Sequence, residues 1–193
     1  MKFVDSIVQY CIKETYINSD QAPWLRYAIE KRFATLVVSI PFLIVGMLLS
    51  TPGAAIFFFG SFYFLRERVN GIHAKTVFHC LIFSLILDAI FLGIFFWYMG
   101  SVALLITSSI SIVIILVLAP YNHPNIWLSP AELHISARKA RFRLAIIVMM
   151  CPLLCIFKQF AIVRGLCLSI ILTALLLIFA YIIKPGGTTN ERK

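Results

Sequence analysis

Cys80 stands seven residues after His73, and the stretch that leads to them from Arg66 to Lys75 reads Arg-Glu-Arg-Val-Asn-Gly-Ile-His-Ala-Lys. A thiol becomes a working nucleophile when a neighbouring base or cation holds it as thiolate. His73 offers the base, and Arg66, Arg68 and Lys75 offer positive charge. On an unbroken helix, residues seven apart share a face but stand about 10 Å apart along the axis, beyond the roughly 3 Å reach of a hydrogen-bonded pair. The His73 segment must therefore fold back over the start of the helix, and Asn70-Gly71 is a turn-forming dipeptide placed to let it do so. His79 is the rival base, but as the immediate neighbour of Cys80 it projects about 100° away on a helix. A cysteine at a helix start also serves as an ordinary small apolar residue, so the residues alone leave both readings open.

The elements that must position this pair are set by composition. The chain has 193 residues, 61% of them hydrophobic and 13% charged, with a mean hydropathy of +0.96; a soluble domain carries roughly 45–50% apolar and about 25% charged residues. A domain of this size leaves too much surface exposed for water to be its only solvent. The remaining solvent is lipid. The net charge of +9 is no nucleic-acid stripe, because the basic residues fall in short clusters between long apolar runs, and no nucleic-acid partner is expected. Five cysteines without a CxxC pair argue against both a disulfide framework and a zinc site. The first thirty residues lack the order of a cleavable signal peptide, so none is expected.

Apolar runs at 33–50, 53–65, 77–99, 101–119, 143–157 and 160–183 give about six spans, of which 53–65 and 143–157 are short for a crossing of about 20 residues. The expected fold is all-α: a polytopic membrane protein forming one integral-membrane domain over 1–193. It divides into an interfacial segment 1–30, six spans within 31–183, and a cytoplasmic tail 184–193. Residues 1–19 place Phe3, Val4, Ile7, Val8, Cys11 and Ile12 at helical spacing, which predicts an amphipathic helix lying on the membrane surface or packed on the loops. With both termini in the cytoplasm, all but Lys158 and Arg164 of the 17 basic residues lie inside. The positive-inside rule then puts 66–76 and 120–142 on the cytoplasmic face of a plasma membrane.

Arg66, Gly71-Ile72-His73-Ala74 and Cys80, in a basic loop ahead of a long span, resemble the signature of the accessory gene regulator B (AgrB-like) family. Ala119-Pro120 with Asn122 and Asn125 is similar to that family's second polar motif, and the likeness in size and span layout extends over most of the chain. The resemblance implies an integral-membrane cysteine endopeptidase that trims a small AgrD-like precursor peptide and helps cyclise it to a thiolactone or lactone quorum-sensing signal. Carried over by position, Cys80 is the nucleophile, His73 the general base, and Arg66 and Gly71 required parts of the active-site loop. Asn70 stands where many relatives have glycine, and it tolerates the left-handed conformation such a turn needs. Asn122 and Ile126 depart from the acidic residue and the proline usual in the second motif. No cofactor and no metal are implied.

Other residues have structural readings. Asp88, near the middle of the third span, is expected to be neutral or hydrogen-bonded to Thr107, Ser108, Ser109 and Ser111. Pro41 and Pro152 permit kinks. His123, His134 and Glu132 make too sparse a set for a metal site, and the basic run 138–143 anchors its loop to anionic lipid headgroups. Small-residue faces would allow a homodimer. The competing function is a non-enzymatic membrane carrier or exporter of a small peptide or apolar solute, built around Asp88 and the serines of the fourth span.

Overall fold

In the computed structural model the described residues are 2–14, 16, 18–69, 83, 86–87, 89–122 and 129–183, and they are helical with short connections. Helix α1 (Lys2–Lys13) buries Val4 and Val8 and is tied to the next helix by an Asp5–Arg26 ion pair of 3.1 Å. It packs on that helix while Phe3 and Tyr10 point outward. A single 3-10 turn (Ser19–Gln21) precedes α2 (Ala22–Leu49), which opens with Pro23 in its first turn, where a missing amide costs nothing, and runs on through Pro41. Ser50 closes α2 by donating its amide (3.0 Å) and hydroxyl (2.8 Å) to the Gly46 carbonyl. Thr51 then caps α3 (Pro52–Val69) through its Oγ1, which accepts the Ala54 amide at 3.3 Å.

The next described helix, α4, is a wide π-helical turn over Ala89–Phe95 that returns to α-helix at Phe96–Tyr98. The second half of the apolar run read over 77–99 is thus helical, with a π turn in it. Trp97 here donates its indole N–H to the Leu49 carbonyl at 2.7 Å and so caps the end of α2. Helix α5 (Ser101–Leu118) follows directly. Helix α6 (Pro130–Ile156) has 27 residues, about 40 Å at 1.5 Å per residue. Residues 130–142 are helix, which corrects the sequence reading of 120–142 as a loop over those residues, and the short apolar run 143–157 gains flanking residues as the C-terminal part of this long helix. The other short run, 53–65, is likewise extended by flanking residues in α3, of 18 residues. Helix α7 (Phe160–Ile183) completes the chain.

The sequence of α7 is apolar on all sides, and such a helix belongs in the middle. It does sit there. Cys167, Leu168, Ile171, Leu172 and Leu176 face a cluster with Phe42, Phe58, Phe59, Phe62, Phe91 and Phe96. Leu166, Ile170, Ala174, Leu177 and Ala180 face a second cluster with Leu65, Ile115, Leu144 and Ile147. Helix α3 lies closest to α7: a Cβ built on Gly165 would stand 2.6 Å from the Ala54 carbonyl oxygen, so only glycine permits this crossing. Ser61 and Ser169 hydrogen-bond across it at 2.6 Å.

The outside of the bundle is apolar. Leu48, Val102, Val117, Met149, Ile156 and Ile182 are largely exposed, a density of bare aliphatic surface that water does not tolerate on a monomer. Among the described residues, α5 and α7 are long and apolar enough to cross a membrane.

Candidate functional site

The last turn of α3 carries Arg66, Glu67 and Arg68, and it is the structural root of the segment in which the sequence places the chemistry. The final carbonyls of a helix have no partner within it, and here other elements supply them. Ser136 of α6 donates its hydroxyl to the Arg68 carbonyl at 3.1 Å. The amide of Tyr121, in the connection after α5, donates to the Val69 carbonyl at 3.0 Å. One turn earlier, Arg143 Nη1 donates to the Phe64 carbonyl and to the Glu67 carboxylate, each at 2.7 Å. Its guanidinium lies 4.5 Å from the centroid of the Phe64 ring.

Tyr121 is anchored in turn. Only 1% of it is exposed, its ring lies 5.0 Å from that of Tyr181 in an edge-on arrangement, and Tyr181 donates its hydroxyl to the Leu118 carbonyl at 2.9 Å. The Ala119–Pro120 peptide beside it is cis. The connection after α5 is thus folded onto the end of α3, with Asn122 next in line. The two polar stretches that the sequence singles out, one after Arg66 and one after Ala119, leave the bundle from one place.

Charge at this end is mostly positive. Arg66 lies over the Phe62 ring with its guanidinium carbon 5.5 Å from the centroid, and the Nε of Arg68 is buried without a hydrogen-bond partner among the described residues. Cations near a helix C-terminus also complement its dipole. Helix α6 begins here with a capping box: Ser129 Oγ accepts the Glu132 amide at 3.3 Å, and the Ser129 amide donates back to the Glu132 carboxylate at 2.9 Å. The bonds from the Ser129 backbone and hydroxyl hold the Glu132 carboxyl below its ordinary value.

Of the site residues expected from sequence, Arg66 and Arg68 are brought to this end of the bundle. Cys80, His73, Asn70, Gly71 and Lys75 lie outside the described residues, as do Asp88, His79, His123 and Asn125. No cluster of metal-ligating side chains occurs among the described residues. In α5, Thr107, Ser108 and Ser109 donate to carbonyls of their own helix, Ala103 and Leu105. Ser136 and Tyr121 are functional candidates that the sequence reading missed, because neither carries a local signal. Arg143, part of the run 138–143 read there as a headgroup anchor, packs on Phe64 and pairs with Glu67, which leaves 16% of its side chain exposed. The opposite end of the bundle gathers Arg164, which donates to the Met99 carbonyl and lies over the Phe96 ring.

A helical bundle clad in aliphatic side chains, with one basic polar end, is a membrane protein. More narrowly, the model of the accessory gene regulator B family matches residues 4–182, nearly the whole chain, and the chain belongs to that family. Membership supports a role in the processing of quorum-sensing peptides. No curated protein and no solved structure matches the chain.

Proposed function

We propose that the chain is a six-span cysteine endopeptidase of the plasma membrane, with both termini and its active site cytoplasmic, that cleaves an AgrD-like precursor peptide. Cys80 is its nucleophile and His73 its general base, and Asn70-Gly71 makes the turn that brings them together. Arg66, Arg68 and Lys75 hold the thiolate and draw in an acidic substrate segment. The observation that carries this reading is the pinning of the end of α3 by Ser136 and Tyr121. A loop that departs from a capped helix end, against a second fixed connection, starts from one geometry, and a nucleophile and base must be held within a fraction of an ångström to work.

In the reaction, the Cys80 thiolate attacks the scissile carbonyl and a carbon–sulfur bond forms. The carbon–nitrogen bond breaks, and the leaving amine takes the proton held by His73. A cysteine or serine within the precursor then attacks the thioester, gives its proton to His73, and closes a thiolactone or lactone ring as the Cys80 thiolate leaves. The activated acyl bond is conserved as long as water is held off, which a site at the lipid boundary favours.

The test is precursor trimming in membranes carrying the full chain, read by gel. Cys80→Ala and Cys80→Ser should both abolish trimming at unchanged protein levels, while Asp88→Asn should trim. Retained trimming by either cysteine variant would refute the assignment, and loss in Asp88→Asn alone would favour the carrier reading.

A further inference from the structure

An apolar groove of about 350 Å3 runs between α3, α6 and α7, a volume within the roughly 300–1,000 Å3 of ordinary ligand sites. Ile56, Phe57 and Phe64 of α3 line one side and Ile146, Ile147 and Met150 of α6 the other, with Gly60 also in the lining. From Ile56 to Phe64 is eight residues, about 12 Å of helix, close to the roughly 15 Å depth of one leaflet's hydrocarbon. Among the described residues the one polar side chain in the lining, Ser61, is already bonded to Ser169. The groove is therefore made for hydrocarbon.

One end of the groove is basic. On α6, Lys139 and Arg143 stand eleven and seven residues before Met150, and those intervals put them on the stripe that carries Ile147 and Met150. Arg143 stacks on Phe64, the last groove residue of α3; its Nη1 donates to the Phe64 carbonyl and to the Glu67 carboxylate, which offsets part of its charge. Lys139 is exposed one turn farther out. A phosphate that reached both cations would leave its acyl chain pointing straight down the groove. A zwitterionic headgroup would bring its own cation to the same place and lose part of that attraction.

We propose that this groove is a binding site for one anionic phospholipid, its chain laid between α3 and α6 and its phosphate held by Arg143 and Lys139. The site requires only that the bundle is embedded in lipid with this end at a headgroup layer; it does not depend on Cys80 being a nucleophile.

Gly60 gives a clean way to close it. A Cβ added there meets nothing within 4 Å, so Gly60→Ala leaves the packing as it is, while the longer side chain of Gly60→Leu occupies part of the groove that Gly60 lines. The full chain is released from mixed phosphatidylglycerol and phosphatidylcholine vesicles, and retained lipid is read by native mass spectrometry, with thermal unfolding as a check on folding. The expected result is one phosphatidylglycerol retained per chain in preference to phosphatidylcholine. Gly60→Leu should lose it and Gly60→Ala should keep it. Lys139→Gln should weaken retention about fivefold, the loss expected for one basic residue at an anionic surface. Equal retention of both lipids, retention unchanged in a folded Gly60→Leu, or a second chain instead of a lipid in the retained mass would overturn the proposal. If Cys80→Ala still retains the lipid while failing to trim, the two proposals stand apart.

Discussion

Replacing Ser136 by alanine removes one hydroxyl and tests whether the capped end of α3 matters for catalysis. Ser136 is 8% exposed and its bond to the Arg68 carbonyl is 3.1 Å long. Losing a neutral hydrogen bond costs about 0.5–1.5 kcal/mol, and a buried acceptor left without any partner about 1–3 kcal/mol. The Arg68 carbonyl is only partly buried, so some water can reach it and the cost should fall near 1–2 kcal/mol. If that energy holds the loop in its working geometry, the loop leaves that geometry and trimming slows by about fivefold to thirtyfold. The assay is the initial rate of precursor trimming in proteoliposomes, alongside the Tm of the same preparation in detergent. Ser136→Ala should slow trimming by that factor with the protein still folded at the assay temperature, and Ser136→Thr, which keeps the hydroxyl, should recover most of the rate. A Ser136→Ala rate within twofold of the parent would refute the reasoning. So would a Ser136→Thr rate as low as that of alanine, since the side chain's volume and not its hydrogen bond would then be responsible.

Two further outcomes bear on the scaffold. Gly165→Ala would force a Cβ to 2.6 Å from the Ala54 oxygen; the overpacking cost of about 1–3 kcal/mol exceeds the roughly 1 kcal/mol gained in helix propensity. Its Tm should fall while that of Gly60→Ala holds or rises, and a rise for both would show that the α3–α7 crossing is looser than described. The Glu132 carboxyl is held below its ordinary value by Ser129, so its capping contribution is complete above the unfolded carboxyl value of about 4.3. It is lost as pH falls through the lower folded value. Amide exchange in the first turn of α6 should accelerate across that window, and Glu132→Gln should exchange at a rate independent of pH there once intrinsic exchange is divided out.

Local pattern made the helical character legible. Among the described residues the apolar runs appear as helices, the all-round hydrophobic run 160–183 lies at the centre, and the connections at Ser50-Thr51 and Gly100 fall where proline, glycine and small polar residues interrupt the pattern. The start of α6 carries a local signal that the sequence reading passed over: Ser129-Pro130-Ala131-Glu132 is a capping box with proline at the first position, but the charged residues that follow it look like a loop when hydropathy alone is weighed. A helix that leaves the bilayer keeps its hydrogen bonds while changing its surface, so hydropathy misplaces its end.

The sequence by itself determined that this chain is a set of apolar helices with basic connections, because helix formation and lipid burial depend on residues a few positions apart. It also carried the family motif around Arg66, His73 and Cys80. Only the tertiary structure decided that Tyr121 and Ser136 cap α3, that Arg143 pairs with Glu67 beneath the Phe64 ring, and that Gly165 admits the Ala54 carbonyl. Those contacts join residues tens of positions apart. A hydrogen bond or a close crossing is satisfied by any donor or gap of the right shape, so the partner is fixed by packing and leaves no mark in the local pattern of either strand of sequence.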